Sequence, residues 1–464
     1  MKKKILLTLT AGVILFTTVS FKSDFFEIAK QLEIFTTLFK EINMNYVDEV
    51  NPAELMDSAI QGMLEDLDPY TNYWTEQEVE DAHITNSGRY TGIGASVLTK
   101  NKTITLMEVY EGYPADEAGL KAGDELIQIG GVNLADFGDD AGDLLKGAPG
   151  TQIPVIYRRQ GKQQETTLER KEIEVQAVPF YALMPDNVGY IVLSQFNRKA
   201  TAETEAAIKD LKEKGATSLV LDLRGNPGGL LTEAINISNL FLPKGKLITT
   251  TKSAIKKYNK EYLTVNEPLD AQIPLAVLIN GRSASASEIV SGSLQDYDRA
   301  VVLGARSFGK GLVQRPKELT YGTQVKITIS RYYTPSGRCI QALDYRQRDE
   351  DGQAVRRGVA DYNEFSTTNG RKVYDGGGIL PDVQIESAKL SAITEALLKD
   401  YAIFDFATQF YYKHNYDKLN DFKFNNGDYK DFREFLKTSG FEYKTETEKT
   451  LEKAYLISKT DDLQ

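Results

Sequence analysis

The chain reads as a multidomain α/β protein. Its parts are a helical N-terminal module, a β-sandwich-like module with two short helices, an α/β layered core and a helical tail. Its 464 residues exceed what one hydrophobic core organises. Its composition, 41% hydrophobic and 26% charged, is that of an ordinary globular protein. The residue pattern also changes character along the chain, from helical spacing, through short β-branched runs, to alternating strands and helices, and back to helix.

The first segment predicts an address. Lys2, Lys3 and Lys4 precede the uncharged stretch Ile5–Phe21, which Lys22 closes. A charged start followed by an apolar run is the pattern of a secretory signal or signal anchor. The stretch lies at the short end of what spans a bilayer. Thr18-Val19-Ser20 is the best cleavage site on offer and a poor one, which favours an uncleaved anchor with the body outside the cytoplasm. Residues 1–22 are therefore expected to be a signal peptide or anchor, and 23–85 a helical module. Within that module Phe26, Ile28, Leu32, Ile34, Phe35, Leu38 and Phe39 recur at helical spacing through a segment expected to be helical over 24–80. Asn51, Pro52 and Glu54 punctuate a second helix that carries Leu55, Ile60 and Met63 and ends near Asp68-Pro69.

Residues 86–176 predict the β module. Its strands are expected at Ile104–Val109, Glu125–Ile129 and Ile153–Arg158, with short helices at Ala115–Ala118 and Asp139–Leu145. Residues 177–387 predict the α/β core. Strands are expected at Gly189–Leu193, Ser218–Leu223, Leu275–Ile279 and Ala300–Leu303, and helices at Ala202–Lys214, Leu230–Leu240 and Ser287–Asp296, with a longer strand at Val325–Tyr333. Residues 388–464 return to helix, rich in Phe and Tyr, which are expected to pack against the core.

Charge and composition exclude several classes. A net charge of −11 without a Lys/Arg block argues against nucleic-acid binding. The single cysteine, Cys339, allows neither an intrachain disulfide nor a cysteine-based metal site. No metal or organic cofactor is expected. Histidine is limited to His83 and His414, both outside the α/β core.

Two segments look built for chemistry. Leu221–Gly229 (LDLRGNPGG) runs from a buried strand into a glycine-rich turn and helix, which presents N–H groups to an anion or oxyanion. Alone, such a turn is more often structural. Asn280–Glu288 (NGRSASASE) also follows an apolar strand and opens a helix, so a serine can stand exposed as on a nucleophile elbow. The competing reading is an N-cap by Ser285 or Ser287, and three serines are more than capping requires. A serine nucleophile needs a base. With no histidine in the core, a Ser-Lys pair is the alternative, and Lys310, between Gly309 and Gly311, is the best lysine. Phe308 is placed to desolvate its amine, whose ordinary pKa of about 10.4 must fall by about three units for catalysis near neutrality. For any single lysine a solvated surface charge is the default; the combination reverses that.

The set LDLRGNPGG, SASASEI with LQD, FGKGLVQ, YYTPSGRCIQ (332–341) and GGGILPD (376–382) resembles the C-terminal processing, or tail-specific, peptidase family, over about residues 40–386. The resemblance implies a serine endopeptidase with a crotonase-like or ClpP-like layered core. It puts the nucleophile at Ser285, the base at Lys310, and at Gln314 the amide that orients the lysine amine. Ala286 and Gly228 or Gly229 would supply oxyanion N–H groups, with Glu288 and Asp296 in support. Ser283 and Ser287 are left as structural or capping.

The β module resembles a PDZ domain. Gly92, Ile93, Gly94 and Ala95, after Thr91, stand at the carboxylate-binding loop, and AGLKAGDELIQIGG (118–131) fits the module's core. A peptide would add there as a strand at the sheet edge, with its terminal carboxylate held by loop N–H groups. The partners implied are protein or peptide substrates with free, apolar C-termini, and the membrane through the N-terminal segment. A homo-oligomer stays open. The location implied is the periplasm or cell envelope. One departure is Leu67-Asp68-Pro69-Tyr70-Thr71, where many relatives carry His-Ser after the proline; its expected role is domain packing. The alternatives are an inert PDZ scaffold, against which the intact Ser285, Lys310 and Gln314 set argues, and an acyl-CoA enzyme, which gains nothing from a PDZ module.

Overall fold

The structure is a computed structural model that describes residues 25–460, apart from 101, 137–140, 350–353, 357, 359–361, 386–389 and 415–421. The N-terminal signal or anchor expectation lies outside the described residues. Among the described residues no helix is long and apolar enough to cross a membrane. The chain divides into two compact units. One comprises residues up to Glu76 together with Gln314–Thr328, and the other Gln77–Val313 together with Ile329 onward.

The first unit begins with helix α1 over 25–45, followed by α2 (Pro52–Glu65). Asn51 caps α2 as its sequence suggests: Oδ1 accepts the Ala53 N–H (3.0 Å) and Nδ2 donates to Glu54 (2.8 Å). The helical pattern does not continue to residue 80. The Asp68 carboxylate accepts the N–H groups of Tyr70 (2.9 Å) and Thr71 (3.0 Å), closing a turn around Pro69. Strand β1 (Asn72–Trp74) follows and pairs antiparallel with residues 324–326, Asn72 opposite Lys326. Lys326 lies over the Trp74 ring.

The second unit opens within α3 (Glu76–Ser87) and continues into the β module. Strand β2 (Arg89–Gly92) leads into β3 (Ala95–Lys100) and β4 (Thr103–Val109), and α4 (Pro114–Glu117) precedes β5 (Glu125–Ile129). Then come β6 (Val132–Asn133), β7 (Gln152–Arg159), β8 (Lys162–Glu169) and β9 (Lys171–Glu174). The sheet order is β3-β4-β5-β7-β8, which leaves β3 at an edge, while β2 pairs with β9. Ile104, Leu106, Leu126, Ile129, Ile153, Val155 and Leu168 alternate inward and form this module's core.

The α/β core consists of β10 (Phe180–Met184), β11 (Val188–Val192), α5 (Ala200–Glu213), β12 (Ser218–Asp222) and α6 (Leu231–Asn239), then β13 (Leu247–Lys252), β14 (Lys260–Leu263), β15 (Leu275–Ile279), α7 (Ala286–Asp296) and β16 (Val301–Gly304). The sheet runs β10-β11-β12-β15-β16 and ends on Val383–Gln384; every pair except β10 with β11 is parallel. Ile191, Leu221, Val277, Ile279 and Val302 meet Ile237, Ile289, Val290 and Leu294 of the helices in one apolar cluster. Strands β12, β15 and β16 therefore end side by side, and the loops that follow them carry the candidate chemistry. Strand β17 (Leu312–Glu318) precedes β18 (Gln324–Tyr333), whose residues 331–333 pair with β13.

The tail forms α8 (Ala392–Lys399), α9 (Ala402–Lys413), α10 (Asn426–Thr438) and α11 (Glu446–Thr460). Its aromatics pack on one another, with the Phe406 ring centroid 5.0 Å from that of Phe432 and 5.6 Å from that of Phe435. The expectation that they cover the α/β core is corrected. Thr408 of α9 rests on the β module at Gly123, where an added Cβ would fall 2.2 Å from its Cγ2.

Candidate active site

Ser285 stands at the junction of β15's loop and α7, with φ 55° and ψ −109°. A non-glycine residue in this region is strained and persists only where its surroundings over-determine it. Here they do. The hydroxyl of Ser283 donates to Leu223 O (2.8 Å) and accepts the Asn280 N–H (2.9 Å). That of Ser287 donates to Asn226 O (3.0 Å), and the Ala284 N–H donates to the same carbonyl (3.0 Å). Both flanking serines thus stitch the elbow to the glycine-rich loop after β12, in line with the structural role expected for them.

That loop has its own lock. Asn226, fully buried, donates from Nδ2 to Leu193 O (2.8 Å) and accepts the Gly228 N–H on Oδ1 (2.8 Å). A Cβ on Gly228 would lie 2.8 Å from Ala284 O and 3.0 Å from Ser285 Cβ, so glycine is what lets the loop press against the elbow. Since the Gly228 N–H is already engaged, the oxyanion reading narrows to Gly229 and Ala286. Neither of their N–H groups has an acceptor among the described residues.

Glu288, one turn into α7 and 0% exposed, gathers four donors. Oε2 accepts the N–H of Ser285 (2.8 Å) and the N–H of Lys310 (2.8 Å). Oε1 accepts the Gly309 N–H (2.7 Å) and the Ser307 hydroxyl (2.6 Å), and Ser307 Oγ in turn accepts the Ile379 N–H (2.6 Å). Burial pushes this carboxyl above the usual carboxylate range, against the pull of Ser307, Ser285, Lys310 and Gly309. One oxygen therefore joins the backbones of Ser285 and Lys310.

The Lys310 loop is fixed from its other side by residues 341–342. Gly309 O accepts the Ala342 N–H (3.0 Å), the Gly311 N–H donates to Gln341 Oε1 (2.8 Å), and Gly311 O accepts the Tyr332 N–H (2.8 Å). Cβ atoms on Gly309 and Gly311 would lie 2.4 Å from Ala342 Cβ and 2.6 Å from Gln341 N. The two glycines thus permit close approach of this segment. Phe308, beside the lysine loop, is 42% exposed.

Asp296 is the last residue of an 11-residue helix that opens just after Ser285, so it lies about 16 Å along the axis from the elbow. It pairs with buried Arg338 (2.8 Å) and accepts the Ser336 N–H (2.9 Å), anchoring the far end of α7. Asp222 closes β12. Burial alone would raise it, but hydrogen bonds from Arg224 and Tyr190 hold its carboxyl below the usual range. Gln314 belongs to the first unit and donates from Nε2 to Thr328 Oγ1 (3.2 Å). Ser307, Gln341, Asn226 and Asn280 were not singled out by sequence; Gln341 lies inside the 332–341 motif, and Ser307 one residue before FGKG.

In the β module, the carbonyls of Ile93 and Gly94 turn inward to the N–H groups of Ala115 (2.8 Å) and Tyr110 (2.9 Å). The N–H groups of Ile93 and Gly94 have no acceptor among the described residues, and Ala95 starts the edge strand β3. His83 lies in α3, and His414 follows α9, where it stacks on Phe410.

Against known proteins, the "Peptidase family S41" model matches 187–347 and the "PDZ domain" model 105–159. "Activating protease CtpB N-terminal domain" matches 17–78, and "Probable PDZ-protease, C-terminal helical domain" matches 393–464. These matches put the α/β core among the peptidases. The carboxy-terminal-processing protease of Bartonella bacilliformis is 36% identical over 68% of this chain and 73% of its own length. The carboxy-terminal processing protease CtpA of Bacillus subtilis is 32% identical over 76% and 75%. The solved photosystem II D1 C-terminal processing protease covers 77% of this chain and 88% of its own at 25% identity, with a TM-score of 0.41, too loose an overlay to add weight. The chain belongs to the C-terminal processing serine protease family, with a helical N-terminus, a PDZ domain, an S41 core and a C-terminal helical domain.

Proposed function

We propose that this protein is a serine endopeptidase that cuts protein substrates near their C-termini, with Ser285 as nucleophile and Lys310 as general base. The observation that carries this reading is the single Glu288 oxygen that holds the N–H groups of both residues. Ser285 Oγ attacks the scissile carbonyl while the neutral Lys310 amine takes its proton. The tetrahedral oxyanion is met by the N–H groups of Ala286 and Gly229. The ammonium then protonates the leaving amine and the C–N bond breaks, leaving an acyl-enzyme. Water, deprotonated by the same amine, hydrolyses the ester and returns Ser285. The Gln314 carboxamide holds the lysine amine in this scheme.

The PDZ domain is assigned the substrate tail: the terminal carboxylate on the N–H groups of the Gly92, Ile93, Gly94 and Ala95 loop, and the peptide along β3. Lys2–Lys4 followed by Ile5–Phe21 supports a body outside the cytoplasm, anchored to or released from the membrane. The test is incubation of the full chain, Ser285→Ala and Lys310→Ala with an unstructured protein bearing an apolar C-terminus, with mass spectrometry of the cut ends. Both variants are expected to fold and to release no product. Wild-type cleavage by either one, purified free of host proteases, rejects the pair. A C-terminally amidated substrate is expected to bind and be cut less well; no change removes the tail-binding assignment.

A further inference from the structure

An amide side chain has two chemically different ends, and the structure carries a device that decides which way Gln314 turns. Asp68 Oδ1 accepts the N–H groups of Tyr70 and Thr71, and Oδ2 accepts the Thr71 hydroxyl (3.0 Å). Thr71 Oγ1 accepts the Thr328 N–H (3.2 Å), and the Thr328 hydroxyl donates to Asp68 Oδ1 (3.1 Å). Thr328 is therefore held through both its backbone and its side chain. A hydroxyl has one proton, and a carboxylate only accepts. With that proton committed to Asp68, Thr328 can offer Gln314 nothing but lone pairs. Only the NH₂ end of Gln314 can meet it, and it does so at 3.2 Å. The carboxamide oxygen is left facing away from Thr328 as an acceptor.

We infer that Asp68 and Thr328 are positioning residues that fix the polarity of the Gln314 carboxamide for catalysis. The inference rests on the proposed role of Gln314 toward Lys310. A lysine amine donates through its hydrogens, so it needs the amide oxygen; the amide nitrogen cannot accept. Without the acceptor-only carboxylate, the Thr328 hydroxyl would donate to Gln314 Oε1 as readily as it accepts from Nε2, and the amide would turn. The Tyr-Thr departure after Pro69 keeps a hydroxyl at position 71, which this arrangement uses.

The test is steady-state cleavage of fluorescently labelled casein by the full chain across pH, with T328V, T328S, D68N, Q314A and T328V/Q314A in parallel. T328V preserves shape and removes the hydroxyl. It is expected to lower kcat about tenfold or more, with KM within about twofold. The acid limb of its kcat profile is expected to move to lower pH, because the NH₂ end of the amide then disfavours the ammonium. A fold defect would lower amplitude without moving the limb. T328S should recover most of the loss, and T328V/Q314A should be no slower than Q314A alone. If Q314A is slow while T328V and D68N keep wild-type rate and pH profile, or if the T328V and Q314A losses simply multiply, the positioning device is overturned and Gln314 keeps its role. A wild-type rate in Q314A overturns that role and this inference with it. Should D68N fail to fold, the Thr328 series decides.

Discussion

Glu288 carries more of the site than any other single side chain. Four donors from two segments converge on its two oxygens. Glutamine has the same shape but must present NH₂ in place of one oxygen. At Oε1 it would face Ser307 and Gly309; at Oε2 it would face Ser285 and Lys310. Either way two buried donors lose their acceptor, at about 1–3 kcal/mol each. E288Q is therefore expected to lower the denaturant midpoint measurably and to reduce kcat about tenfold or more in the fraction that folds, since the elbow and the lysine loop lose their common tie. Denaturant melts and kinetics on the same preparation check this; an E288Q as stable and active as wild type would show that the tie is dispensable. Sequence could see only the Ser285-x-x-Glu288 capping box, which accounts for one of the four bonds. The other three come from residues 19–22 positions downstream, and no local pattern announces them.

At the scale of elements, three loops at the ends of β12, β15 and β16 are bound into one surface by Ser283, Asn226 and the Phe308 N–H, which donates to Ser283 O (3.0 Å). The strands before those loops were legible because their apolar residues alternate or run together between turn signals; β15 was readable to its last residue. Strand β13 was not, because polar side chains fill two of its buried positions. Thr249 and Thr251 are buried and donate to Tyr333 O and Tyr258 O, a satisfaction that no hydropathy pattern displays. Asp296 illustrates the converse: close in sequence to Glu288, it is removed from the site by the length of α7. The end of β12 also carries an acid-sensitive contact, in which Asp222 ties Tyr190 of β11 to Arg224. Its carboxyl is depressed in the folded chain, so its contribution to stability is present above the unfolded pKa of about 3.9 and lost as pH falls through the lower folded value. D222N should melt below wild type at neutral pH, and the gap should narrow once the pH drops under about 4. Calorimetry at the two pH values decides it; a gap that is constant or widens in acid contradicts the assigned contact.

At the scale of the molecule, the tail helices are placed against the PDZ domain. Their composition foretold helix and aromatic packing but not the surface they cover, since Phe406 and Phe410 carry no information about which module supplies the opposing face. The meeting point is Gly123, whose N–H donates to Leu106 O (2.7 Å) in the PDZ sheet and over which Thr408 sits. Beside it lies a cleft of about 500 Å³ lined by Val109, Leu120, Phe404, Ala407 and Tyr411. Gly123→Ala combines two costs. An alanine at φ +87° is strained by about 1–2 kcal/mol, and its Cβ overlaps Thr408 Cγ2, an overpacking of about 1–3 kcal/mol. Thr408→Ala removes the second cost and leaves the first, so the double variant should recover part of the stability, and the single Thr408→Ala should lose little. Hydrogen exchange separates docking from global unfolding: in Gly123→Ala the amides of α9 should exchange faster than those of β12 and β15. If α9 exchanges as in wild type while the protein as a whole is destabilised, the tail is not held on the PDZ domain through this contact in solution, and the loss belongs to the backbone of Gly123 alone.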